Sequence, residues 1–299
     1  MAFAQSTNGA GEGLSETHWG ARMKTGITAS SASADPACDI VKIRTLELEG
    51  VVHLGPLLQL NDREAILADS RLWDLKASSY SDSQTYIHGV QWLEAMSVFA
   101  PLRSPRLMSF LQCLFADRLV CTGISFSRIS TGYPGMALHC DGKPGRSQIF
   151  GPQASCPAAV RVLVYLDGTD AGRAPLKVVR GSHLSLHAEA NPFLRYSSHE
   201  AEEDMLCLPG EAIIIHHRVF HRAGRHNGGP PRHLISYGFR PAWAGPLVAA
   251  PTPSAEALSL LPADIKPFFE DPNVGMDPEE AANYSADFRA SGDGLSRIR

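Results

Sequence analysis

The chain has no long hydrophobic run, no paired cysteines and no block of like charge, and each absence removes a class of function. Although 44% of its 299 residues are apolar, no segment approaches the roughly 18 consecutive apolar residues of a membrane-spanning helix. The first residues lack the basic start and apolar stretch of a secretory signal, so a cytoplasmic protein without a membrane partner is expected. Charge is scattered, 27 Lys and Arg against 31 Asp and Glu for a formal net charge of −4. With no basic stripe, a nucleic-acid partner is excluded as well. The six cysteines (Cys38, Cys113, Cys121, Cys140, Cys156 and Cys207) form no C-x-x-C pair. They read as reduced thiols packed as small apolar groups, and neither a zinc knuckle nor a disulfide framework is expected. A monomer or homodimer acting on a small molecule fits these limits.

What is present divides the chain into an N-terminal arm, residues 1–38, and one domain, residues 39–299. The arm is dominated by Ser, Ala, Gly and Thr, offers little apolar surface to offset ordering entropy, and is expected to be flexible. Only two basic residues, Arg22 and Lys24, fall in the first 40 positions of the chain, against the Arg-rich norm of transit peptides. Ile40 to Gly55 alternates apolar and polar residues and reads as a half-buried strand, followed by a capped helix from Leu60 towards Trp73. Helices are expected at Trp92 to Phe99 and Ser104 to Leu119. Short β-like runs then follow at Val120 to Ser130, Met136 to Asp141, Ala158 to Leu166, Pro175 to Val179, Glu211 to His216 and Leu234 to Phe239. Helices first and many short strands afterwards predict a mainly β protein with flanking helices, built on a jelly roll. The proline-rich tail from about residue 250 is expected to wrap the surface or form a lid.

The sharpest local feature is Gly135-Met-Ala-Leu-His139-Cys-Asp141-Gly142. Positions i and i+2 of a strand share a face, so His139 and Asp141 can reach one ion together, while Cys140 points away. A second imidazole from a facing strand would complete a facial triad that leaves three metal positions open. Alone, His-x-Asp is weak in a chain with 12 histidines. Downstream lies a turn, an apolar strand, a histidine cluster and a glycine-rich loop, from Pro209-Gly-Glu211 through His216, His217 and His221 to Asn227 and Arg232.

With these residues in view the sequence resembles the phytanoyl-CoA dioxygenase family of iron(II)/2-oxoglutarate oxygenases. The likeness spans roughly Ile40 to Trp243 and rests on four matches: His139-x-Asp141, Gly181-Ser-His183, the Pro-Gly-Glu-Ala-Ile-Ile-Ile strand, and His221 with Asn227 and Arg232. It implies a double-stranded β-helix (cupin-like) core, Fe(II) bound by His139, Asp141 and His221, and the distal carboxylate of 2-oxoglutarate held by Arg232. The choice of His221 over His216 and His217 follows from the family's spacing to Arg232. A guanidinium fork suits a carboxylate better than Lys would.

The resemblance further implies oxidation of a small organic metabolite with 2-oxoglutarate and O₂, releasing succinate and CO₂, in secondary metabolism. Hydroxylation, desaturation or rearrangement is expected rather than halogenation, because Asp141 fills the position that related halogenases leave to a halide. Thr122 and Ser127 are candidate partners for the inner carboxylate of 2-oxoglutarate; Arg128, Arg161, Tyr165 and Arg180 are candidate substrate contacts. A neutral or weakly polar metabolite such as a terpenoid, polyketide or alkaloid suits the composition, with an amino acid or an acyl thioester left open. Two rival readings stay open: a cupin-like metal-binding protein without turnover, and a metal-dependent hydrolase or isomerase using an activated water.

Overall fold

The computed structural model describes residues 39–89, 95–141, 159–184, 197–244 and 253–272, all within one unit of the chain, Pro36–Arg299. The N-terminal arm, Trp92, Gly142 and the last 27 positions lie outside the described residues. In chain order the elements are α1 (Ile40–Glu49), β1 (Val51–Pro56), α2 (Leu60–Ser70), β2 (Lys76–Ser78), β3 (Ser81–His88), a 3-10 segment (Met96–Arg103), α3 (Pro105–Phe115), β4 (Leu119–Ile129), β5 (Val160–Tyr165), β6 (Leu176–Val179), β7 (Glu203–Met205), β8 (Glu211–His216), β9 (Phe220–Ala223), β10 (Arg232–Pro241) and α4 (Ala255–Ser259).

Among the described residues seven strands form one antiparallel sheet in the order β1-β8-β5-β10-β4-β3-β2, and three form a smaller one, β7-β6-β9. The fold is the expected mainly β jelly roll with helices on one face. Alternation decides which core each residue enters. On β5 and β8, Val162, Val164 and Ile214 join the core beneath α1 and α3, with Leu107, Phe110 and Leu114. Their neighbours Leu163, Tyr165, Ile213 and Ile215 face the small sheet and meet Leu176, Val178 and Met205. Burial on both faces is why these strands read as nearly continuous apolar runs.

The expected strand from Ile40 is corrected to a helix up to Glu49, with extended structure only from Val51. Local chemistry overrides the alternation. Asp39 caps the start by accepting from Lys42 N–H at 3.0 Å, and Gly50, at φ 75°, ends the helix by donating to Leu46 O, the left-handed cap that favours glycine. Ile43 and Leu46, three apart, are its buried residues. Gly50 is also a close approach, since a Cβ there would stand 2.5 Å from His183 Nδ1. The helix expected to reach Leu119 ends at Phe115, because Leu119 already belongs to β4. The helix expected over Trp92 to Phe99 is, where described, the 3-10 segment from Met96. β2 and β3 were not expected from the sequence. In the tail, Leu261, Ile265 and Phe269 pack into the helix-side core, with Phe269 edge-on to Phe99.

Candidate metal and cosubstrate site

β9 is the strand on which the site is built. Its residue His221 lies opposite Val178 of β6 and, on its other side, forms an isolated antiparallel bridge with His139. The two exchange both backbone hydrogen bonds, His139 N–H to His221 O at 3.0 Å and His221 N–H to His139 O at 2.8 Å. Their rings lie 4.6 Å apart. Asp141, two residues on, is fixed by its own N–H donating to His217 O at 2.9 Å. One ligand atom each from His139, Asp141 and His221 falls within 4.8 Å of the others. Cys140 is buried and contributes no atom to that group.

The tautomers follow from the backbone. His139 Nδ1 lies 2.8 Å from Ala137 O, and His221 Nδ1 lies 3.0 Å from Val219 O. A carbonyl only accepts, so Nδ1 carries the proton and the lone pair is on Nε2, as metal ligation requires. The Nε2 atoms stand 3.9 and 3.7 Å from the Asp141 carboxylate. Among the described residues the buried Asp141 Oδ2 has no hydrogen-bond partner. Burial alone would raise the Asp141 carboxyl, but Arg161, His221 and His139 outweigh it and hold it below the usual carboxylate range. Two neutral imidazoles and one carboxylate, converging with an unsatisfied buried oxygen, fit a divalent metal of the iron type.

The Gly181-Ser-His183 motif supports this strand. Phe220 N–H donates to Ser182 Oγ at 2.8 Å, immediately before His221. His183 lies against Gly50, with Nε2 2.9 Å from Glu47 O at the end of α1. His216 and His217 stack on each other at 4.6 Å outside the convergent group. Burial holds the His216 ring well below the usual histidine range and His217 down to about 4, so both are neutral.

A cavity of about 320 Å³ opens beside the convergent residues, lined by His139, His221, Arg161, Tyr165, Arg232 and Ser127 among others. Arg232, the first residue of β10, is 1% exposed. Its guanidinium carbon lies 5.4 Å from the centre of the Tyr165 ring, its Nε has no hydrogen-bond partner among the described residues, and burial lowers its pKa. A buried guanidinium without a carboxylate is costly, and a diacid entering the cavity would relieve that cost. Next door, Asp167 accepts from His233 N–H at 2.8 Å and lies 2.7 Å from His233 Nδ1, which fixes the start of β10.

The candidate contacts divide. Ser127, Arg161 and Tyr165 line the cavity. Thr122 is exposed because β4 bulges there: Gly238 pairs with Gly123 and Phe239 with Cys121, skipping Thr122. It also sits by Gly238, six residues or about 20 Å along β10 from Arg232, too far for a five-carbon diacid anchored on Arg232. Arg128 alternates to the face opposite Ser127 and is exposed. Arg180 is bound elsewhere, ion-paired to Glu49 and, at 2.8 Å, to Glu203, where it ties α1 to the small sheet.

Sequence reasoning missed the opposite wall. Tyr86 and His88 of β3 and Ser236 of β10 line the cavity, and Ser236 Oγ lies 2.7 Å from Ser125 Oγ. The available signal was the alternation in Ser81 to His88, masked by its polar composition. A second convergent group, His53, Cys207 and Glu211, lies between β1 and β8. There Glu211 is 3.1 Å from His53 Nε2, while burial pushes the Cys207 thiol up to about 12, away from the thiolate a metal would need.

A jelly roll with a His-x-Asp pair, a bridged histidine and a buried arginine defines the class of mononuclear non-haem metal oxygenases. The model of the phytanoyl-CoA dioxygenase family matches residues 47–234, and the chain belongs to that family of non-haem iron, 2-oxoglutarate-dependent enzymes. No curated protein shows significant sequence similarity to it. Among solved structures it is similar to HygX from Streptomyces hygroscopicus with nickel and 2-oxoglutarate bound (16% identity, TM-score 0.56, covering 69% of this chain and 88% of that one). The epimerase SnoN, in complex with Fe³⁺, α-ketoglutarate and nogalamycin RO, aligns with 19% identity and TM-score 0.57 over 80% of this chain and 92% of its own. AviO1 from Streptomyces viridochromogenes Tue57 aligns with 17% identity and TM-score 0.54 over 74% and 100%. Among the described residues no helix is long and apolar enough to cross a membrane.

Proposed function

We propose that this chain oxidises a small organic metabolite with Fe(II), 2-oxoglutarate and O₂, using His139, Asp141 and His221 as the iron ligands and Arg232 as the anchor for the distal carboxylate of 2-oxoglutarate. The observation that carries the reading is the combination of a convergent set of ligand atoms within 4.8 Å and a buried, incompletely satisfied arginine lining the same cavity.

Each residue's part follows from its setting. The two histidines present Nε2 because their Nδ1 protons are committed to carbonyls; Asp141 supplies the one negative charge. Arg232 offers a desolvated fork, with the buried Tyr165 ring 5.4 Å from its guanidinium carbon. Ser127 is within the same cavity as a hydroxyl partner for the cosubstrate, and Arg161 stands on the substrate side. When bound, iron and 2-oxoglutarate supply the oxidising power, with decarboxylation to succinate and CO₂. With Asp141 in place, hydroxylation, desaturation or rearrangement is favoured over halogenation. The neighbour SnoN, an epimerase from nogalamycin biosynthesis, and HygX, described with hygromycin B bound, support a role in secondary metabolism.

The test is anaerobic titration of the Fe(II)-loaded protein with 2-oxoglutarate, following the metal-to-ligand charge-transfer band in visible light. The band should appear in the wild type and weaken sharply in Arg232→Ala. Its absence from the wild type would return the site to the rival readings, in which zinc is tolerated and O₂ is not needed.

A further inference from the structure

Strand register turns β5 into a ruler for the cavity. Arg161, Leu163 and Tyr165 alternate onto the cavity face. Tyr165 lies against Arg232, and Arg161 stands four residues away, about 13 Å along the strand. Asp141, beside the convergent histidine nitrogens, lies towards the Arg161 end, with Arg161 Nε 3.4 Å from its Oδ2. A cosubstrate anchored on Arg232 and reaching the metal ligands therefore occupies the Tyr165 end. The Arg161 end is left for another molecule.

That end is built to admit one. Register places Gly238 of β10 opposite Arg161, and Gly123 of β4 opposite Gly238. Among the described residues a Cβ at Gly123 would meet nothing within 4 Å, whereas one at Gly238 would collide with Thr122 Oγ1, which already fills that place. The floor beside Arg161 is thus open at Gly123 and carries the Thr122 hydroxyl at Gly238. One step inward the paired hydroxyls of Ser125 and Ser236 face the cavity, with His88 opposite Ser125. Arg161 itself makes no hydrogen bond among the described residues and is 41% exposed at its side chain. Its contact with Asp141 is close enough for an ion pair but is not aligned as a hydrogen bond, since Asp141 Oδ2 has no such partner among the described residues. A metal ion at Asp141 would share that charge and leave the guanidinium fork to face the opening.

We propose that Arg161 recognises an oxyanion on the substrate, a carboxylate or phosphate, bound on the side of the metal centre opposite Arg232. This reading favours an anionic substrate over the neutral metabolite that suits the composition, and it rests on the proposed iron and cosubstrate assignment. The cavity then has two carboxylate-binding ends, Arg232 for the cosubstrate and Arg161 for the substrate, with the oxidising centre between them. Ser125, Ser236 and His88 supply uncharged hydrogen-bonding groups for the body of the substrate.

The experiment compares wild type with Arg161→Gln and Arg161→Lys, each loaded anaerobically with Fe(II) and saturating 2-oxoglutarate. The probes are benzoate and phenyl phosphate, with benzamide as the uncharged control, and the readout is perturbation of the charge-transfer band. The wild type should bind the two anions about tenfold or more tightly than benzamide, as expected for charge-assisted hydrogen bonds. Arg161→Gln should abolish that preference and Arg161→Lys restore part of it, with 2-oxoglutarate affinity within about twofold of wild type. The proposal is overturned by a wild type without anion preference, or by a preference that survives in Arg161→Gln. It is also overturned if Arg161→Gln weakens 2-oxoglutarate binding instead, which would make Arg161 a cosubstrate contact, or weakens Fe(II) binding alone, which would make it only a partner of Asp141. A wild type that never develops the band overturns the iron and cosubstrate reading, and this one with it.

Discussion

His139 and His221, 82 residues apart in sequence, are direct cross-strand partners that exchange both of their backbone hydrogen bonds. The separation of the two imidazoles is therefore set by the backbone, so on the proposed iron assignment this strand pairing should matter to metal affinity as much as ligand identity does. Replacing His221 by Ala should leave the far-ultraviolet circular dichroism unchanged. Fe(II) affinity should fall by more than the ~10–100-fold typical of losing an outer hydrogen-bond partner, measured by anaerobic metal titration.

Ser182 tests the support behind that pairing. Its hydroxyl accepts from Phe220 N–H in a buried setting, so Ser182→Ala leaves an amide unsatisfied at a cost of about 1–3 kcal/mol. We expect a lower melting temperature together with a roughly tenfold weaker metal affinity. A stability loss without any change in metal binding would confine Ser182 to folding.

Arg232 should show opposite effects on binding and stability. Loss of its charge-assisted hydrogen bonds to a carboxylate should weaken 2-oxoglutarate binding by ~10–100-fold in Arg232→Met. Unfolding of the ligand-free protein should become no easier, since a desolvated guanidinium is removed from the fold. Arg232→Lys should recover only part of the affinity, because an ammonium lacks the fork. Isothermal titration and thermal denaturation, run on the same samples, separate the two effects.

Acid stability should follow the buried histidines. His183 and His216 have pKa values held below the usual 6.5 by burial, so they stay neutral in the fold and take up protons when it unfolds. Stability from this source is complete above about pH 6.5 and declines as pH falls below it, by up to ~1.4 kcal/mol per pH unit for each group. Denaturant titrations at pH 7 and pH 5 should show the decline, and it should be shallower in His216→Gln. An equal slope in the variant would contradict this account.

Arg180, expected from the sequence as a substrate contact, is engaged by Glu49 and Glu203. Arg180→Ala should lower stability by no more than ~1 kcal/mol, as for partly exposed ion pairs. Affinity for 2-oxoglutarate should be unchanged in the charge-transfer titration; a substantial loss would place Arg180 in the site after all.

How much of this was readable beforehand depended on whether a feature is local or paired. Leu60–Ser70 was foreseeable because Gln59 and Asp62 form a capping box within four residues. Glu211–His216 was foreseeable because an apolar run flanked by Pro-Gly is a short-range signal. Ile40–Glu49 was misread because alternation of residue type mimicked a strand, while the deciding groups were a single capping aspartate and a single glycine. The wall formed by β3 went unnoticed because its cavity-facing side chains are polar, and hydrophobic periodicity does not register polar alternation.

By itself the sequence determined the fold class, the family and the chemical types available for the site, because these follow from side-chain identity and short-range pattern. Only the tertiary structure decided that Arg161 rather than Arg128 or Arg180 enters the cavity, that a bulge takes Thr122 out of register with β10, and that His221 and His139 are direct cross-strand partners. Those outcomes depend on register between strands distant in sequence. Register is set by how two cores pack on opposite faces of the same strands, and a shift of one residue would have turned every one of these side chains the other way.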